Sequence, residues 1–405
     1  MTTQLSSRHQ ILPPPVPPGP VKWIRENLFG NLFNSILTIL SSILLYLLLS
    51  KSIQWIFVDA DWRPVANFPL LYTIGQYPRD QIWRVGASLS LAMFLLGVSW
   101  GKWGGLLRSV SITAMLLFAL AAFVPFQEEQ ITAAIRMNLG SNIIIILAGF
   151  LIGKVKWVKP GLIGISWLVL PILVMVLFSG FDDSEILPKV PTTSWGGLMV
   201  TFLLAFGGIL LSFPIGVALA LGRRSTLPVV STFSTVFIET IRGVPLITIL
   251  FMFSVILALF LPQESRLDRL LRALIALTVF SSAYMAENIR GGLQSIPSGQ
   301  IEAAKAIGMT GFQTMSFIVL PQALRAVIPA IVGQFIGLFK DTTLVVIVGL
   351  NDFLGIGKSI ISADPAFLLL QTEVYIFIAF VYWIFSYLMS LASRRVETAL
   401  GVGYR

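Results

Sequence analysis

The segment "IEAAKAIGMTGFQTMSFIVLPQALR", Ile301–Arg325, lies between two strongly apolar runs of a 405-residue chain. It is too polar to cross a bilayer whole, and its local signals specify a short helix, a turn and a second helix. Ser298 stands where a side chain can cap a helix beginning near Gly299. Ala303, Ala304 and Ala306 favour helix and let another backbone come close. Gly308 stands where a glycine past the last helical residue ends a helix. Thr310 and Gln313 have capping-box spacing, which starts helix again at once. Pro321 is expected to bend or break that second helix before the next apolar run. The face of this elbow is mixed: Glu302 and Lys305 are polar, Met309, Phe312 and Met315 apolar. Exposed apolar residues would make it a partner surface. A hairpin lying on the chain's own helices would show the same spacing, and the pattern leaves both readings open.

Composition sets the surroundings. The chain is 56% hydrophobic and 12% charged; soluble domains carry about a quarter charged residues. That predicts an all-α integral membrane protein with about ten transmembrane helices. The net charge of +9 needs no nucleic acid, because Lys and Arg gather in cytoplasmic loops. There is no cysteine, and the single histidine, His9, sits in a polar tail. Disulfides, thiolate nucleophiles and His or Cys metal clusters are therefore not expected. The Pro-rich start has no apolar core of a signal peptide and reads as an extended spacer before the first span, with a PxxP-type ligand as the alternative. The chain is expected to bind no cofactor.

Spans are expected at about Leu32–Val58, Trp83–Trp100, Arg108–Pro125, Leu139–Gly153, Gly161–Ser179, Trp195–Leu221, Arg242–Leu261, Leu270–Gly292, Ala326–Leu350 and Val374–Ala392. With both termini in the cytoplasm, Lys102, Arg108, Lys154, Lys156, Lys159, Arg223, Arg224, Arg394 and Arg395 fall inside. The acidic loops with Glu128, Glu129, Asp182, Asp183 and Glu185 fall outside, as the positive-inside rule requires. The expected division is a cytoplasmic tail over 1–30, an N-terminal extension over 31–190 with an external loop at 59–82, and a core over 191–405 whose cytoplasmic loop is 293–325.

The elbow also carries a family pattern. Glu302-Ala303-Ala304, three residues, Gly308, nine residues, Ile318, one residue and Leu320-Pro321 resemble the EAA loop of ABC-importer permeases. "FIETIRGVPLITILFMF" (Phe237–Phe253), "SAYMAENIRGGLQSIPSGQIEAA" (Ser282–Ala304) and "GLFKDTTLVVIVGLNDFLG" (Gly337–Gly355) are similar to the polar amino-acid branch. Within it they look most like the general L-amino-acid permease subunit with extra N-terminal spans. One departure is Ile249, where many relatives carry glutamine.

The resemblance implies a five-helix type I importer core over the C-terminal half, in the bacterial inner membrane. The elbow would be the coupling helix, seated on a cytoplasmic ATPase that holds ATP and Mg. By the resemblance Glu302 would make the polar anchor and Ala303 and Ala304 the close packing. Gly308 would make the turn, and Leu320 and Pro321 would set the loop against the membrane helices. The implied partners are a second related permease, an ATPase dimer and an external solute-binding protein. L-amino acids would pass between the permeases by alternating access.

Charged residues inside spans are candidates for function. Lys340 and Asp341 lie inside a span, followed by Thr342 and Thr343. They could pair with the two ends of a zwitterion, or with each other or a partner subunit as a structural ion pair. Glu239, Thr240 and Arg242 open one expected span, and Tyr284, Glu287 and Arg290 close the next. Substrate contact and a structural charge network are both open for them. Gly333 and Gly337 form a GxxxG that permits close helix approach, as against a partner permease; small residues lining a pathway would read the same.

"GIGKS", Gly355–Ser359, resembles the end of a phosphate loop. That loop needs glycine five positions before the glycine that precedes Lys, and Asp352 stands there. Nucleotide binding by this chain is therefore not expected. The rival readings are a secondary transporter, for which no repeat between the halves is visible, and a membrane enzyme or scaffold, for which no catalytic constellation is visible.

Overall fold

The computed structural model describes residues 19–123, 133–182, 184–260, 262 and 267–401. His9, Glu128, Glu129, Asp183 and the Pro-rich start of the tail lie outside the described residues. The chain divides into two compact units, Met1–Asp61 and Trp62–Arg405.

In the first unit, α1 (Pro20–Leu28) precedes α2 (Leu32–Gln54), which ends in a π-helical turn, Trp55–Asp59. Asn31 caps α2 by accepting the Asn34 N–H at 2.7 Å. The Thr38 hydroxyl donates to the Leu28 carbonyl at 2.8 Å and closes the turn between the helices. No α2 residue is buried. A helix apolar all round matches a lipid environment.

The second unit begins with two short helices, α3 (Arg63–Ala66) and α4 (Pro69–Ile74). The extension helices follow: α5 (Ile82–Trp103), α6 (Gly105–Phe123), α7 (Ala133–Gly153) and α8 (Pro160–Ser179). Then come α9 (Gly197–Arg223), α10 (Pro228–Arg242), α11 (Leu246–Phe251), α12 (Leu257–Phe260) and α13 (Arg269–Gln294). The chain closes with α14 (Ser298–Ala306), α15 (Gly311–Gln313), α16 (Leu320–Asp341), α17 (Phe353–Ala363) and α18 (Gln371–Leu400). Among the described residues, nine helices are long and apolar enough to span a membrane, or ten if the bent pair Pro228–Arg242 and Leu246–Phe260 is one span.

That bent pair corrects one expected span. The run expected to start at Arg242 starts at Leu246, and a separate helix ends at Arg242, turned by 106°. Pro245 lacks an N–H and keeps Val244 out of helical geometry, so helix cannot pass through. Glu239, Thr240 and Arg242 therefore sit at the end of α10 rather than at the start of a span.

α13 is the central helix: 61% of its most apolar stretch is buried, against at most 33% in the other eight unbroken spans. Close approach in the extension comes from glycine. A Cβ on Gly97 would lie 2.1 Å from the Ile146 carbonyl oxygen, and one on Gly149 would lie 2.4 Å from that of Phe94. Larger side chains at either site would push α5 and α7 apart.

Contacts define two ends of the bundle. At the first, the Tyr77 hydroxyl donates to the Phe178 carbonyl (3.0 Å), buried Arg84 donates to that of Pro188 (2.9 Å), and Arg269 donates to that of Gly349 (3.1 Å). The segment between α2 and α5 is ordered there. Its Leu70, Tyr72, Ile74 and Tyr77 are buried, and the Tyr72 ring meets Phe353 and Phe377 edge-on at 5.6 and 5.2 Å. Gly75 has φ +66°, and a Cβ there would lie 2.5 Å from the Gly196 Cα. Gly75→Ala combines a left-handed backbone with a backbone clash, so the expected loss is roughly 2–4 kcal/mol. Thermal unfolding in detergent measures it, and an unchanged melting temperature would contradict this packing. The second end carries the elbow.

Candidate functional site

Past Gln294 the chain turns through Pro297 into α14. Ser298 is the first residue of that helix, and Pro297 occupies the cap position without a side-chain cap bond. The expected Ser298 cap is therefore absent: Pro297 gives the extended entry, which puts Ser298 inside the helix. The other end forms as the sequence dictates. Gly308 adopts φ +83°, the Gly308 N–H reaches the Lys305 carbonyl (2.9 Å) and the Met309 N–H that of Ala304 (3.1 Å). This 5→2 and 6→1 pair is a Schellman motif. The capping box is complete: Thr310 Oγ1 accepts the Gln313 N–H at 3.3 Å, and Gln313 Oε1 accepts the Thr310 N–H at 2.9 Å.

Pro321 does not break the second helix. Residues Thr314–Val319 widen into a π-helical turn, and helix runs unbroken over Gly311–Val348. The wider turn accommodates the proline ring and its missing donor. The second helix of the elbow is thus a continuation of a span, and the turn at Gly308 joins it to α14.

One face of the elbow rests on the protein. Ala304 is buried, and Ile301, Met315 and Leu320 pack against Ile289, Leu293, Val319 and Ala323. The other face is open. Ile307 and Phe312 are 77% and 79% exposed, flanked by exposed Glu302, Ala303 and Lys305. Glu302 makes no hydrogen bond or ion pair within the described residues. The hairpin reading thus holds on one side, and the opposite side leaves its apolar residues exposed, as a partner surface requires. Sequence reasoning overlooked Ile307, whose place beside the helix-ending Gly308 was the available signal, and Phe317, which is 67% exposed. Met309 and Met315 are half-buried and contribute less to the open face than their spacing suggested.

Beside the elbow lies a charge cluster. Arg223 Nη1 is 2.6 Å from Glu287 and its Nη2 is 2.8 Å from Glu239. Arg290 and Arg242 reach the second Glu287 oxygen at 2.8 and 3.5 Å. Three guanidiniums thus share two carboxylates and tie the ends of α9, α10 and α13 together. In the sequence Arg223 reads only as a marker of orientation, because a partner 64 positions away leaves no local pattern. The Arg242 guanidinium also lies 5.7 Å from the centroid of the Tyr284 ring.

Tyr284 connects this cluster to a cleft of about 440 Å³ between α13 and α16, lined also by Asn288, Gln334, Gly337 and Asp341. Asn288 donates to Gln334 Oε1 at 2.7 Å, and Gln334 donates to the Ser281 carbonyl at 2.6 Å. Asp341 brings the cleft its carboxylate. Lys340 is exposed outside the lining, and no Lys340–Asp341 ion pair occurs among the described residues. Thr342 is buried and donates to the Phe339 carbonyl at 2.7 Å. Gly333 and Gly337 have open space beside them. Ile249 is 1% exposed within the apolar core, where an apolar side chain suits the surroundings.

"GIGKS" lies inside α17 and is not a loop. Asp352 caps that helix, accepting the Gly355 and Leu354 N–H groups at 2.9 and 3.2 Å and the Tyr382 hydroxyl at 3.2 Å. Burial pushes the Asp352 carboxyl up to about 6, although these donors pull it down. Its folded value thus exceeds the ordinary carboxylate value of about 3.9. Its contribution to stability is complete below that value and is lost as pH rises through about 6. Asp352→Asn is expected to flatten this part of the pH profile. An unaltered fall in melting temperature between pH of about 4 and 7 would assign it to other groups.

Comparison with known proteins extends the picture. The family described as binding-protein-dependent transport system inner membrane component matches residues 212–402. The inner membrane amino-acid ABC transporter permease protein YhdY of Escherichia coli (strain K12) is 36% identical over 398 residues, covering 94% of this chain and 93% of that one. The chain belongs to this permease family. A second long relative of the permease is the glutamate/glutamine/aspartate/asparagine transport system permease protein BztC of Rhodobacter capsulatus, 34% identical over 96% of this chain and 95% of its own. The probable glutamine ABC transporter permease protein GlnP of Bacillus subtilis is 41% identical, but over 50% of this chain and 91% of its own. The two long relatives thus share the permease's N-terminal half, and the short one matches about half the chain. A solved structure, "Crystal structure of an amino acid ABC transporter with histidines", is 32% identical over 49% of this chain and 92% of that one, with a TM-score of 0.44.

Proposed function

We propose that this permease carries L-amino acids into a bacterial cell as the membrane subunit of an ATP-driven importer. The observation that carries the reading is the elbow: a rigid loop continuous with a span, with Ile307, Phe312 and Glu302 open at its tip. An exposed apolar pair beside an unpaired carboxylate suits a partner surface, and helix continuity through Pro321 lets motion there reach the membrane core. The partner is a cytoplasmic ATPase dimer that holds ATP and Mg; this chain supplies the docking face over 293–325. Gly308 makes the turn, Ala304 and Leu320 seat the elbow on the bundle, and Ala303 and Pro321 lie on its open side.

A second, related permease completes the pathway, and an external solute-binding protein delivers substrate at the first end of the bundle. Residues 191–405 act as the transport core and 31–190 as an extension. Both termini lie in the cytoplasm of a cell with an inner membrane, which places the cationic second end inside. Substrate contact falls to the cleft: Asp341 receives the ammonium group, with Tyr284 beside it. The naming of the relatives YhdY and BztC for amino-acid transport supports this substrate class. Glu239, Arg242 and Glu287 form a structural network at the inner mouth, with Thr240 on its rim. Lys340 and Thr342, outside the cleft lining, act on its wall rather than on the substrate.

The test is uptake of labelled amino acids into proteoliposomes holding the permease, its partner permease, the ATPase and the binding protein. Uptake is expected to require ATP on the ATPase side, and Asp341→Asn is expected to raise KM more than it lowers kcat. Uptake driven by an ion gradient without ATP would overturn the reading in favour of a secondary transporter.

A further inference from the structure

At the second end of the extension, two short connections lie side by side. A Cβ on Gly153 would fall 3.0 Å from the Gly101 Cα, so the last turns of α5 and α7 meet, and the α5–α6 and α7–α8 connections leave from that point. Together they present Lys102, Arg108, Lys154, Lys156 and Lys159, and no acidic residue occurs in 101–108 or 153–160. None of the five cations has a carboxylate partner among the described residues. The Lys154 ammonium sits 4.4 Å from the centroid of the Phe150 ring, which packs on Trp100 at 4.2 Å. Trp157 is 89% exposed and Trp103 50%. Immediately along the helices, Leu151, Leu162 and Ile165 expose apolar side chains at 65%, 56% and 57%.

We infer that this patch binds anionic phospholipid headgroups of the cytoplasmic leaflet. The exposed leucines and isoleucine belong in hydrocarbon, so the cations stand one step outward, at headgroup depth. Tryptophans are at home at that interface, and unpaired lysines there attract anionic lipid. Phe150, packed on Trp100, holds Lys154 in place by a cation–π contact. A protein partner would need the apolar sides below the patch covered as well. Their surfaces are continuous with the lipid-facing sides of α7 and α8.

The assembled transporter is purified, stripped of lipid and titrated with phosphatidylglycerol and, separately, phosphatidylcholine, with bound lipid counted by native mass spectrometry. The wild type is expected to retain phosphatidylglycerol in preference. The combined Arg108→Gln, Lys154→Gln, Lys156→Gln and Lys159→Gln variant is expected to lose at least about tenfold of that preference. Arg394→Gln with Arg395→Gln, which removes cations elsewhere, is expected to keep it. Equal retention of both lipids by the wild type would overturn the inference, as would unchanged preference in the fourfold variant. Loss of a protein subunit from the fourfold variant with lipid preference intact would reassign the patch to a protein partner. The proposed transport function stands or falls separately, because this readout involves no uptake.

Discussion

Glu302→Lys is expected to abolish ATP-driven uptake while leaving the permease folded. The side chain is exposed and makes no ion pair or hydrogen bond within the described residues. Its replacement should therefore change stability by no more than about 0.5 kcal/mol. In the proposed function this carboxylate acts on the ATPase. Losing a charge contact at a desolvated interface costs about 2–5 kcal/mol, which weakens ATPase association by roughly 30- to 4,000-fold. Phe312→Asp tests the apolar half of the same surface and should weaken association by about 1.5–3 kcal/mol. Co-purification of the ATPase subunit reads both. Normal co-purification and uptake with Glu302→Lys would remove the docking role from this residue.

Glu287→Gln is expected to destabilise the second end of the bundle by about 2–3 kcal/mol. Breaking a buried pair costs about 3–5 kcal/mol; Arg242 and Arg290 are 36% and 34% exposed, so part of that cost is screened. Glu287 itself is 14% exposed and takes three guanidiniums. Neutralising it leaves Arg223, Arg242 and Arg290 facing one another across a site where Glu239 alone remains. Removing Arg223 as well should recover part of the loss, giving a non-zero coupling in a double-mutant cycle. A cost below about 0.5 kcal/mol would mean that water already screens the cluster.

The sequence made the local half of this site readable. Gly308 is open to a left-handed backbone, and Thr310 and Gln313 bond to each other's backbones, so neighbours along the chain carried the turn and the restart. Apolar runs located the spans for the same reason. The Arg223–Glu287–Glu239 cluster depends on three helices meeting, and no spacing encodes that. α10 was missed because Glu239, Thr240 and Arg242 interrupt its apolar pattern just before the bend at Gly243–Pro245. Pro321 misled in the opposite sense: a π-helical turn absorbed a residue that would otherwise have ended the helix. Ser298 has the chemistry of a cap but not the place, because Pro297 already provides the extended entry.

The central claim is that the elbow touches the motor, and site-specific cross-linking measures this most directly. The permease has no cysteine, so a single photo-reactive label can be attached through Phe312→Cys without background from this chain. Leu369, 91% exposed near the first end of the bundle, supplies the control position as Leu369→Cys. In the assembled, ATP-hydrolysing complex, the label at position 312 is expected to join the ATPase subunit, and the label at position 369 to leave it untouched. Cross-linking of the ATPase from position 369, or none from position 312 in a complex that still hydrolyses ATP, would contradict the account.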